Sequence, residues 1–118
     1  MILKRPERIK IISKRFTIEW VDPGTGGIPE ESMGICDTYH QKIMVENDLK
    51  YDTEKETLFH EVLHAISDEM GLEFTEAHVA GAARGILAVL MDNPSFARFL
   101  LKKETKEKKK DGTQKVQD

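Results

Sequence analysis

The amino-acid sequence predicts an α+β fold: a small, mostly antiparallel N-terminal sheet packed on a long helix containing His60 and His64, then a second long helix and a short third one. Three observations predict it. Period-two alternation of β-branched and aromatic residues is confined to the first half of the chain. Helical periodicity with end signals starts only after residue 50. With 118 residues, 39% apolar and 33% charged, the chain has the size and composition of one folded domain with a modest core.

Over residues 8–21, Ile9, Ile11, Ile12, Phe16, Ile18, Trp20 and Val21 recur mostly at every second position, which predicts one long strand or two short ones. Residues 22–29 concentrate turn formers and read as a loop. Residues 33–37 and 42–46 then form two short strand-like runs separated by four residues, the spacing of a hairpin. The clearest helix follows. Thr53 and Glu56 have capping-box spacing, and Gly71 suits the position just past the end, so the helix runs to Met70. A helical wheel sets Leu58, Phe59, Val62, Leu63, Ile66 and Met70 on one arc and Thr57, His60, Glu61, His64 and Asp68 on the other. Thr75 caps a second helix to about Asp92, rich in Ala and Gly and so able to approach another element closely. Pro94 opens a third, short helix ending near Lys103. Residues 1–101 are expected to form one domain and residues 102–118 a lysine-rich, disordered tail.

The formal net charge is -3, yet residues from 101 onward hold seven lysines against four acids, so the body is acidic. That is a poor footprint for nucleic acid or anionic lipid, and neither specific nucleic-acid binding nor membrane association is expected. Cys36 is the only cysteine, so no intramolecular disulfide forms. The first six residues lack the apolar stretch of a signal peptide, and the longest apolar run, residues 85–91, is too short to span a bilayer. A cytoplasmic location is expected.

Within the best-predicted helix, His60, Glu61 and His64 form an H-E-x-x-H sequence. Histidines four apart stack on one helical face, so both imidazoles can reach one metal ion, while the glutamate beside the first can take a proton from a water. A catalytic zinc site usually has a third protein ligand. Glu73, Glu76 and His78, beyond the turn at Gly71, are the main candidates, with Cys36 and His40 as others. In a simple antiparallel helical hairpin, residues 80–83 rather than Glu76 come level with His64. Asp68 lies about 12 Å of helix rise from His60, too far to share one ion readily, and suits a hydrogen bond from the far nitrogen of His64, or is simply a surface aspartate.

The short strands, the hairpin and the stretch from Thr57 to Ala65 resemble the minimal zincin metallopeptidases, in particular small phage-associated proteins of the ImmA/IrrE-like group. The segment from Thr75 to Pro94 is similar to the helix that follows in such proteins. The resemblance implies one Zn2+ per chain, bacterial or phage origin, Glu76 as third ligand and Glu61 as general base. It also implies a sheet whose edge strand, taken as residues 42–46, pairs with an extended peptide. Ser67, where a glycine would stand, excludes the metzincin pattern. Tyr39 or His40 in the hairpin turn is a candidate to stabilise an oxyanion, or an ordinary turn residue. The expected activity is hydrolysis of a peptide bond in a protein or peptide substrate. The alternative is a non-catalytic, zinc-containing regulatory protein of phage or host.

Overall fold

A computed structural model describes residues 4–104. Four strands and three helices follow in the order β1 (Arg8–Ile11), β2 (Lys14–Val21), β3 (Gly34–Asp37), β4 (Lys42–Glu46), α1 (Tyr51–Met70), α2 (Glu76–Asp92) and α3 (Pro94–Leu101). The class is α+β, and no helix among the described residues is long and apolar enough to cross a membrane. Two compact units divide the chain between Leu87 and Ala88, inside α2.

In the first unit, the strand-like segment at residues 8–21 is two strands. Ile12, at φ 56°, lies in the two-residue turn between them, which brings Ile9 opposite Phe16. The sheet order is β1-β2-β4-β3, with β2 and β4 parallel and the two outer pairings antiparallel. The sheet is therefore mixed. It also corrects the expected edge: Lys42–Glu46 is interior, hydrogen bonded on both sides, and the edges are β3 beside it and β1 at the far side.

Alternation selects the buried face. Phe16 and Ile18 of β2 and Ile43 and Val45 of β4 point inward with Ile11, and Val62 and Ala65 of α1 complete this core. Ala65, fully buried, allows the helix axis to lie close to the sheet. Two long-range ion pairs fix the helix ends: Arg5 bonds Glu54 at 2.7 Å and Lys14 lies 2.9 Å from Glu69. A second buried cluster joins Leu63 of α1 to Val79 and Ala83 of α2.

Three details of the helices differ from expectation. Helix α1 begins at Tyr51 with Lys50 at its N-cap and no side-chain cap bond, so Thr53 is one turn too far in to cap it. Its polar arc is not all solvated: Thr57 and Glu61 are buried against β3, whereas Met70 is 55% exposed at the end of the helix. The small residues of α2 do not all mark close approach, because a Cβ at Gly81 or Gly85 would meet nothing within 4 Å. As expected, Gly71 ends α1 in the left-handed conformation, and Thr75 Oγ1 accepts the His78 N–H at 3.1 Å.

The second unit comprises the end of α2 and helix α3, in which no residue is buried. Of the segment expected to be a tail, Lys102–Glu104 have no regular structure, and residues 105–118 lie outside the described residues.

The caps separate two neighbouring threonines experimentally. Thr75→Ala should cost about 1 kcal/mol of stability, as cap removals do, and Thr53→Ala within about 0.5 kcal/mol of nothing, as surface helix positions do. Urea unfolding of the two variants checks the contrast; a larger loss at Thr53 contradicts the assignment of Lys50 as the N-cap.

Candidate metal centre

Three side chains converge beside the middle of α1. His60 and His64 present their Nε2 atoms on one face, with ring centroids 5.0 Å apart. The Glu76 carboxylate lies between them, accepting from His60 Nε2 at 2.6 Å through Oε2 and from His64 Nε2 at 3.0 Å through Oε1. The three donors lie within 4.8 Å of one another and form a group able to hold a metal ion. Two imidazoles and a carboxylate are the donor set of one class of catalytic zinc site. Ligand atoms on a tetrahedral zinc are roughly 3.4 Å apart, given bonds of about 2.1 Å, a value that lies between the observed 2.6 and 3.0 Å contacts and the 4.8 Å bound on all three.

Glu76 reaches this position through the connection at residues 71–75, which is not a tight hairpin. Gly71 and Glu73 are left-handed, at φ 64° and 57°, and turn the chain back along α1. Leu72 N–H donates to Ser67 O, and Phe74 N–H donates to Ser67 Oγ at 2.9 Å, which binds the returning strand to the last turns of the helix. From Gly71 back to His64 is about 10 Å of helix rise, and five extended residues span about 16 Å, so the connection covers the distance. Helix α2 consequently starts level with the histidines.

The other proposed ligands are placed elsewhere. His78 belongs to the cap of α2: its Nδ1 accepts the Thr75 N–H at 3.3 Å while Thr75 Oγ1 accepts from the His78 backbone, a reciprocal box with histidine in the glutamate position. Glu73 and His40 do not line the cavity at the histidines. Tyr39, 87% exposed, packs edge-on to His40, whose Nδ1 lies 2.8 Å from Asp37 Oδ2; both are turn residues outside the cavity, which removes them as oxyanion stabilisers in this arrangement. Asp68 lines the cavity but is not hydrogen bonded to His64 among the described residues. Cys36 lines it too. Burial pushes its thiol up to about 12, and the charges of Glu61, Asp68 and Asp37 add to the rise, so at neutral pH its sulfur is protonated.

Glu61 is the buried carboxyl of the cluster, 7% exposed and facing the same cavity. Desolvation raises its pKa above the ordinary glutamate value; charge on His60 and His64 pulls it down and Glu76 pushes it up. Its place depends on Gly34 in the edge strand. A Cβ there would lie 3.0 Å from Thr57 Cγ2, 3.1 Å from the Met44 carbonyl oxygen and 3.3 Å from Glu61 Cγ. The bare backbone of β3 therefore touches α1 at the glutamate, and β3 forms the wall opposite the histidines.

The cavity extends along α1 past Glu56 to Thr53, and Arg84 of α2 closes this end by donating to Glu56 Oε2 from Nε and Nη2 at 3.3 and 3.2 Å. Gly34 and Arg84 are contributors with no signal in the sequence, and Ser67, significant there only as the residue that breaks the metzincin pattern, has one: it lies one turn from His64 and close to the polar arc. No protein-family model, no curated protein and no solved structure matches the chain.

Two substitutions test the supports of this site. Gly34→Ala should destabilise by about 1 to 3 kcal/mol through overpacking, because the Met44 carbonyl belongs to the paired strand and cannot withdraw. Ser67→Ala should cost about 1 to 3 kcal/mol, because the Phe74 N–H loses its acceptor. Thermal unfolding measures both effects; unchanged stability in Ser67→Ala would show that the Phe74 bond does not hold the connection in place.

Proposed function

We propose that this chain is a zinc-dependent metallopeptidase that hydrolyses a peptide bond, with one Zn2+ held by His60, His64 and Glu76 and with Glu61 as general base. The observation that carries the reading is the convergence of those three donors beside a buried carboxyl in a single open cavity. A lone metal-binding triad has no use for a buried glutamate next to it, and burying that carboxyl costs stability unless it has a task.

When bound, zinc supplies Lewis acidity and lowers the pKa of a water towards neutrality. The chain's own residues do the rest. Glu61 takes a proton on its carboxylate and passes it to the leaving amine, and its burial moves its proton affinity towards the range in which one group serves both steps. His60 and His64, on adjacent turns of a helix fixed at both ends, hold their nitrogens in place. The free edge of β3 offers main-chain hydrogen bonds to an extended substrate laid along the cavity, the role expected of residues 42–46 before their interior position was known.

Elemental analysis of untagged protein is the first test: after addition of zinc the chain should hold about one metal, and less than about 0.2 per chain overturns the reading. Glu76→Ala should weaken zinc binding at least about tenfold, and His78→Ala should leave it unchanged, since His78 serves the helix cap. Glu61→Gln should keep the metal and lose cleavage of a peptide library. Equal cleavage by this variant and the parent would remove Glu61 from the chemistry.

A further inference from the structure

The charged groups lining the cavity are unevenly matched. Glu31, Glu56, Glu61, Asp68 and Glu76 are acidic, and Arg84 is the one Lys or Arg side chain among them. Arg84 is eight residues after Glu76, on the same face of α2, and its side chain is 79% exposed. Glu56, its partner, is four residues before His60 on α1, so the guanidinium is held about one helical turn beyond the first histidine.

The manner of that pairing leaves donors available. Both bonds run to one oxygen, Glu56 Oε2, at distances near the long end for such contacts. A guanidinium has five N–H donors, so three remain, including both on Nη1. An exposed pair of this kind contributes little to stability and serves chiefly to aim the group. A substrate carboxylate entering the cavity is repelled by the acids elsewhere and finds a bidentate partner only at Arg84.

We infer that Arg84 is a specificity-determining residue that binds a carboxylate of the substrate, positioned by Glu56, one or two residues from the bond to be cleaved. The spacing follows from the turn of about 5 to 6 Å between Glu56 and His60, against about 3.3 to 3.6 Å per extended peptide residue. The carboxylate is either the α-carboxylate of a chain end or the side chain of an Asp or Glu. This inference rests on the metallopeptidase reading and names its substrate class.

Isothermal calorimetry on the zinc-loaded full chain tests it with three peptide hydroxamates of one backbone: one ending in a free carboxylate, one in a carboxamide, and one amidated with an Asp side chain at the same spacing. The expected result is about tenfold tighter binding of at least one carboxylate probe than of the carboxamide, and the tighter of the two identifies the source of the group. In Arg84→Ala the preference should vanish, and in Glu56→Gln, which keeps an acceptor oxygen for Arg84, it should persist. Equal affinities in the parent, or a preference that survives in Arg84→Ala, overturn the inference alone. Failure to take up zinc overturns the metallopeptidase reading and this inference together.

Discussion

The Glu76 carboxylate lies between two imidazoles because residues 71–75, with Gly71 and Glu73 left-handed, turn back along the last turns of α1. The remainder of the site depends on this return. Had the connection been tight, α2 would have started at the end of α1 and presented alanines to His64. Two left-handed residues reverse the chain and the carbonyl and hydroxyl of Ser67 hold it down, so the placing of Glu76 rests on one residue of α1 and two backbone conformations. The cluster of Leu63, Val79 and Ala83 fixes the rotation of α2 that aims Glu76 inward.

Opposite this, β3 supplies a wall with no side chain at the point of contact. Gly34 lets the sheet edge reach Glu61, and the same contact removes water from the carboxyl and raises its pKa. Packing and acid–base character are thus one feature here. The cost of desolvating Glu61 is offset in part by the neighbouring histidines, which are the groups a metal would engage.

Periodicity made most of the elements legible in the sequence. Both strands of the first hairpin, the loop after Val21, the second hairpin, the C-terminal end of α1 and the ends of α2 follow from alternation, capping residues and Gly71, whereas α1 starts without a side-chain cap. Sheet order was not legible, since period two says which face a residue occupies and nothing about which strand is its neighbour. Alternation therefore leaves the neighbours of Lys42–Glu46 undetermined, and the resemblance that implies an edge there does not foresee its parallel pairing with β2. In the site, the spacing of His60, Glu61 and His64 is written in the helix repeat. The place of Glu76 is written in backbone dihedrals of residues 71–75, which composition does not reveal, and Glu73 in the left-handed region carries no residue signal at all. His78 shares the start of α2 with Glu76, and position alone does not separate the residue that faces the histidines from the one that completes the cap.

The parallel pairing of β2 with β4 has a further consequence for how the cavity comes into being. His60, His64 and Glu76 span seventeen consecutive residues and require only two helices and their connection, all local contacts that close rapidly. The β3 wall, by contrast, is attached to the sheet through β4, and β4 joins β2 across a connection of twenty residues that contains β3 itself and whose closure entropy must be met first. Local contacts therefore suffice to bring the three candidate donors together, whereas the cleft beside them requires the long-range closure of the sheet.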